Sequence, residues 1–173
     1  MENECTEVPD KQKCYNSYLP ITSASSRGHL NCLMQLQDKS YREIDVSIAI
    51  NNKHITVAKY LIESGVPLSD KFIRDAISIG SLELLQYLVS MDCPRYSDSL
   101  ILSAMRGDVN IMKYLLDNGF ECTEYIALVT TANGNIDCLR YLVESGYPFN
   151  KNDCMKVSEI NKYIDCLEYL SNK

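Results

Sequence analysis

Apolar positions recur along this chain at a spacing far longer than any single helix or strand. Tyrosines stand at Tyr60, Tyr87, Tyr114, Tyr141 and Tyr169, each followed by a leucine, Leu61, Leu88, Leu115, Leu142 and Leu170. The steps are 27, 27, 27 and 28 residues. All the glycines fall into two slots in step with this ladder: Gly28, Gly80, Gly107 and Gly134 in the first, Gly65, Gly119 and Gly146 in the second. Agreement of separate residue types on one period of about 20–50 residues means stacked supersecondary units.

Each period divides into two helical patterns. Four residues before the first glycine slot sits a small side chain: Ala24, Ala49, Ala76, Ser103, Thr130 or Ser158. Seven before it sits an apolar one: Ile21, Val46, Ile73, Leu100, Ala127 or Met155. A spacing of three puts both on one helical face, and the small slot permits close helix approach. The glycine ends this first helix; Lys53 and Lys162 take its place twice. The next position is His29, His54, Ser81, Asp108, Asn135 or Tyr163. Ser, Asp and Asn are strong N-caps, so a second helix begins there. Its apolar stripe, for example Leu82, Leu84, Leu85 and Leu88, is wide enough to be buried on more than one side. The second glycine slot, once Asp92, closes it, and Pro67, Pro94 and Pro148 follow where a helix cannot continue.

The expected architecture is all-α: six helix–turn–helix units with short extended connectors, over about 18–40, 41–70, 71–97, 98–124, 125–153 and 154–173. Such units cannot bury their apolar faces alone and must stack on their neighbours. Residues 1–17 carry no periodicity and read as a tail or partial cap.

The runs Gly28-His29-Leu30-Asn31-Cys32-Leu33 and Gly134-Asn135-Ile136-Asp137-Cys138-Leu139-Arg140-Tyr141-Leu142 resemble ankyrin repeats. More narrowly they are similar to the 27-residue variety of giant DNA viruses of amoebae and some protists. The resemblance covers about residues 18–173. It implies an ankyrin-repeat solenoid serving as an interaction scaffold, with no catalytic residue in common. It also implies that the histidine of the cap slot braces the inter-helix turn. The Thr-Pro-Leu-His motif of longer ankyrin repeats is missing, so short loops are expected in place of projecting hairpins.

Composition narrows the function. Seventeen basic against 23 acidic side chains give a net charge of −6. A nucleic acid or an anionic membrane would need a basic footprint, so neither is expected as a partner. No apolar run approaches the ~18 residues of a membrane span. The polar, acidic start Met1-Glu2-Asn3-Glu4 is not that of a secretory signal, and eight cysteines then point to a reducing intracellular compartment, the cytoplasm (a host cytoplasm for a viral chain).

The cysteines follow the packing repeat. Cys32, Cys138 and Cys166 share a slot with Val57, Leu84 and Ile111, and Cys93 shares one with Val66, Phe120 and Tyr147. There is no Cys-x-x-Cys pair, so no metal is expected. Cys5 and Cys14 fall in the tail and are less constrained. His29 and His54 have no nucleophile to serve. No phosphate-binding glycine loop is present, and no cofactor is expected. The tyrosine ladder reads as packing between units, with hydroxyls reaching solvent or a loop.

The first helices of the fourth and fifth units are unusually apolar, with Ile101, Leu102, Met105, Leu128 and Val129. Earlier units carry Thr22, Ser23, Arg74, Asp75 and Ser78 in this part of the repeat. First helices and connector tips line the concave face of ankyrin stacks. The residues expected to meet a partner protein are therefore Arg74, Arg95, Tyr96, Ile101, Met105, Arg106, Tyr125 and Leu128, a set rich in the Arg, Met and aromatic residues of interface centres. The competing reading makes part of the patch inter-repeat core. The expected function is a non-enzymatic protein-binding scaffold, a monomer or weak oligomer, whose partner is a host protein if the chain is viral. The alternative is a self-assembling subunit that stacks through Ile160, Tyr163 and Tyr169.

Overall fold

The structure is a computed structural model that describes residues 20–36 and 40–173. The tail expected over 1–17, with Cys5 and Cys14, lies outside the described residues. Among those described there are twelve helices and no strand. The helices come in six pairs: α1 Pro20–Arg27 with α2 Leu30–Gln35, α3 Glu43–Asn51 with α4 Ile55–Glu63, α5 Asp70–Ile79 with α6 Leu82–Ser90, α7 Ser99–Arg106 with α8 Val109–Asp117, α9 Glu124–Ala132 with α10 Ile136–Glu144, and α11 Lys151–Asn161 with α12 Ile164–Ser171. The expected short loops stand in place of hairpins.

One device closes the first helix of every pair. The N–H of the cap slot reaches back to the carbonyl of the small slot, from His29 to Ala24 at 3.0 Å, His54 to Ala49 at 2.9 Å, Ser81 to Ala76 at 3.0 Å and Tyr163 to Ser158 at 2.9 Å. Asp108 does the same to Ser103 and Asn135 to Thr130. This is the Schellman closure, which needs a left-handed residue between. Gly107 supplies it with φ 74°, and Lys53 and Lys162 adopt it with φ 64° and 60°. The second helices end likewise: Cys93 N–H donates to Leu88 O at 3.0 Å, Phe120 to Leu115 at 3.1 Å and Tyr147 to Leu142 at 3.0 Å. The leucine of each Tyr-Leu step is thus both core residue and C-terminal acceptor.

The chain divides into two compact units, residues up to Arg95 and from Tyr96 onward. In the first, α3 packs against α1, α4 and α5, and α2 lies on α4. Its core holds Leu33, Ile50, Leu61, Phe72, Ile73, Leu85 and Leu88. In the second, α9 packs between α7 and α11, and α10 between α8 and α12. Ile111, Met112, Leu115, Leu139 and Leu142 form that core.

The cap slot does two different jobs. Ser81 and Asp108 cap their own helices, accepting the N–H of Leu84 at 3.3 Å and of Ile111 at 3.1 Å. Asn135, expected to do the same, makes no such bond. Its amide turns to the preceding pair and donates to the carbonyls of Ala104 at 2.7 Å and Met105 at 3.2 Å. Those carbonyls belong to the last turn of α7, which has no helical donor for them. His54 acts similarly, placing Nε2 3.2 Å from Ser26 O. The approach is close enough that a Cβ at Gly107 would sit 2.5 Å from Asn135 Oδ1, and one at Gly28 2.5 Å from the His54 ring.

Candidate functional site

The first helices of the second unit form the candidate surface. Ile101 and Leu128 occupy the same repeat position on α7 and α9, and both are half-buried. Met105, one turn past Ile101, is 53% exposed, and Tyr125, at the start of α9, is 56% exposed. Arg106 ends α7 in solvent, where its charge suits the helix C-terminus. Tyr96 is half-buried, and its carbonyl accepts the Ser99 hydroxyl at 2.6 Å. Val129 is only 9% exposed, so this part of the expected patch is core, while Leu102 is half-buried like Ile101 and Leu128.

Arg74 and Arg95 belong to the first unit. Arg95 is exposed in the connector after α6. Arg74 has its guanidinium on Asp75, Nε at 3.2 Å and Nη2 at 3.0 Å from Oδ1. Its charge serves a buried carboxylate of its own chain.

A half-open cleft of about 250 Å³ lies where α7 and α9 begin. Leu100, Ile101 and Ile126 make its apolar walls, with Phe120 and Glu121 from the connector between the helix pairs, and Ser97 at its edge. The sequence pattern placed Phe120 in an apolar connector slot but gave no sign that it borders a cleft. Val66 and Cys93 in that slot are fully buried, whereas the larger Phe120 and Tyr147 stay half-exposed.

The back of the second helices is tied together by charge. Lys59 lies 5.2 Å from the Tyr87 ring centre, Lys113 4.9 Å from Tyr141, and Arg140 5.6 Å from Tyr169. In each case the cation precedes the tyrosine of its own pair and covers that of the next, a cation–π contact between repeats. Tyr87 also donates to Glu63 at 3.3 Å, and burial followed by the Glu63 charge raises its pKa. The ladder thus packs the repeats together, as its place beside the core leucines suggested.

The buried thiols among the described residues are poor nucleophiles. Cys32, Cys93, Cys138, Cys154 and Cys166 are buried. Burial, with Asp108 and Asp137 adding to it, pushes the Cys138 thiol up to about 12, and burial with Asp70 pushes Cys93 to about 11. A thiolate is the reactive form, and these groups stay protonated at neutral pH. Among the described residues no group of three or more His, Cys, Asp or Glu could hold a metal ion. No described helix is long and apolar enough to cross a membrane.

Residues 72–153 match the family model of ankyrin repeats, in three copies. This stretch consists of ankyrin repeats. The match takes in α5 to α10 and every member of the candidate surface. Ankyrin repeats are in general protein–protein interaction modules, typically without enzymatic activity. No curated protein matches the chain.

Proposed function

We propose that this ankyrin-repeat protein is a non-enzymatic binding module that holds a partner protein on the first-helix face of its second unit. The observation that carries the reading is the exposure of Met105 on α7 and of Tyr125 on α9, each more than half exposed, with Ile101 and Leu128 half-buried on the same two helices. Large apolar side chains gathered on one face of a soluble protein mark a contact surface. Arg106 and Tyr96 would form its rim, where polar contacts set specificity more than affinity. The partner to seek first is an intracellular protein, a host protein if the chain is viral.

The test is affinity capture from a lysate with wild type and a Met105→Asp, Tyr125→Ser double variant. Both positions are exposed, so the variant keeps its helical spectrum and thermal midpoint. One dominant protein held by wild type and lost at least tenfold in the variant supports the face. Equal capture by both removes it.

A second reading, self-assembly through α11 and α12, is favoured by Ile160 and Ile164, which are 78% and 64% exposed. It is opposed by Glu159, which is exposed at a repeat position where Ser25, Ile50, Ile77, Ala104 and Thr131 are all buried. Sedimentation as a dimer, abolished by Ile160→Asp, would favour self-assembly over partner binding.

A further inference from the structure

The cleft at the start of α7 and α9 is narrower in purpose than the face beside it. Its volume of about 250 Å³ is below the ~300–1,000 Å³ of small-molecule pockets and suits one large side chain. Leu100, Ile126 and the half-buried Ile101 and Phe120 give it an apolar interior. Its edge is acidic. Glu121 lines the cleft itself and is exposed, and among the described residues no ion pair joins it to a cation. Asp98 and Glu124, both exposed, adjoin the lining residues Ser97 and Thr123. The starts of helices favour acidic side chains, which accounts for Asp98 and Glu124. It does not account for Glu121, which lies in the connector.

Few cations stand near these carboxylates. Between residues 95 and 139 the sequence has Arg95, Arg106 and Lys113. Arg95 is exposed, two residues before Ser97, and Lys151 opens α11, which packs on α9. Arg106 closes α7 at the end away from the cleft, roughly 10 Å along the helix. Lys113 lies over the Tyr141 ring. The cleft therefore joins an apolar hole to an edge richer in exposed carboxylates than in cations, and complementarity asks for the opposite pattern in what fills it.

We propose that this cleft receives a single large apolar side chain from a partner segment whose flanking residues are lysine or arginine. The proposal rests on the reading of the chain as a protein-binding module, and names the chemistry of the segment it would hold. The apolar side chain supplies burial, and the flanking cations meet Glu121, Asp98 and Glu124. Because the rim charges are exposed, their contribution weakens with salt.

The test uses the full chain and an array of nonapeptides. The central residue is leucine, isoleucine, methionine, phenylalanine or alanine, and the flanks are lysine, serine or glutamate. Binding is read by fluorescence anisotropy at low and physiological salt. A lysine-flanked peptide with a large apolar centre is expected to bind at least tenfold more tightly than its serine, glutamate or alanine-centred counterparts. That advantage should fall at least tenfold in Glu121→Lys, Glu124→Lys and be unchanged in Asn110→Ala, an exposed position of α8 outside the cleft. Equal binding of alanine- and leucine-centred lysine peptides would reduce the effect to attraction by an acidic protein and overturn the cleft. Preference for glutamate flanks, or no binding to any peptide, would overturn it too. Self-association lost in the Glu121→Lys, Glu124→Lys variant would make a second copy the occupant instead. A partner captured from lysate and released by Met105→Asp, Tyr125→Ser but not by the rim variant would remove the cleft and leave the broader reading standing.

Discussion

The two units build the same helix pairs from different materials. In the first, the small slot is alanine three times, Ala24, Ala49 and Ala76; in the second it is Ser103, Thr130 and Ser158. All six are buried. The hydroxyls cost little because each donates to a carbonyl of its own helix, Ser103 to Leu100 at 2.8 Å, Thr130 to Ile126 at 2.7 Å and Ser158 to Cys154 at 2.9 Å. The first unit places ionised groups inside its first helices instead. Asp45 is fully buried and Asp75 nearly so. Both units carry some large apolar side chains outward, Met34, Ile44 and Met91 in the first and Met105, Tyr125, Ile160 and Ile164 in the second. A slot in this repeat thus fixes size and burial, and leaves polarity open wherever a local partner exists.

The two buried aspartates differ sharply in how well they are satisfied. Asp45 accepts from Arg42 N at 3.1 Å, Arg42 Nε at 3.1 Å, Arg42 Nη2 at 3.2 Å and Thr22 Oγ1 at 2.6 Å. It completes a capping box at the start of α3 and ties α3 to α1. Asp75 has Arg74 on one oxygen, and its Oδ2 has no hydrogen-bond partner. In the same repeat position stand Ser23, Ile48, Leu102, Val129 and Val157.

The largest expected effects come from the backbone and from Asp45. Gly107→Val puts a branched side chain in the left-handed region, at about 1–2 kcal/mol. It also displaces Asn135 from two carbonyls, each worth about 1 kcal/mol. A loss of about 3 kcal/mol in urea unfolding is expected, and a loss below about 1 would mean that Asn135 does not join α10 to α7. Asp45→Ala should cost a similar ~3 kcal/mol, because it strips the partner from a buried charged network.

Asp75→Ile is expected to act in the opposite sense, stabilising by about 1–2 kcal/mol. It replaces a half-satisfied carboxylate by the side chain its slot carries at Ile48, and leaves Arg74 enough exposure to hydrate. A loss on that substitution would show that Asp75 has a partner role the pairing with Arg74 conceals. Lys53→Gly, relieving a left-handed lysine, should gain somewhat less, about 0.5–1 kcal/mol after the added chain entropy.

The thiols give a smaller, pH-dependent effect. Burial raises Cys138 and Cys93 in the folded state, to about 12 and about 11, above the ordinary 9.0. The unfolded chain therefore loses these protons first as pH rises. Stability should be unaffected below about pH 8, and decline from pH 9 towards pH 12. Cys138→Ala should flatten that decline in denaturation curves recorded across the range, and an unchanged slope would assign it to the tyrosines.

The repeat arithmetic made the helix pairs legible, since slots for glycine, small and apolar side chains report on the pair that contains them. The cross-links between pairs were not legible. Asn135 to Ala104, Thr22 to Asp45 and Lys113 to Tyr141 each join residues more than 20 apart. Recognising them requires knowing which faces meet. Of the apolar and aromatic residues around this surface, Met105 and Tyr125 are exposed and Val129 is buried, a difference that the period of the repeat does not by itself reveal. The cleft was hidden for a steric reason. Phe120 fills a slot that Val66 or Cys93 can bury completely, and it is the surplus size of the ring that leaves it at an open edge.

The close approach of Gly28, Gly107 and Gly134 to the side chain one pair later makes the order of the repeats matter. Gly28 faces His54, Gly107 faces Asn135, and Gly134 faces Tyr163. Lys53 is followed by Ser81, a short side chain turned onto its own helix. After Lys162 no further cap slot comes within the 173 residues. The pairs are therefore keyed, not interchangeable. A recombinant that joined the Lys53 pair directly to the pair of Asn135 or Tyr163 would set a Cβ where that side chain must lie. Gene duplication or excision by whole repeats is open to this chain only at junctions where the keys still fit.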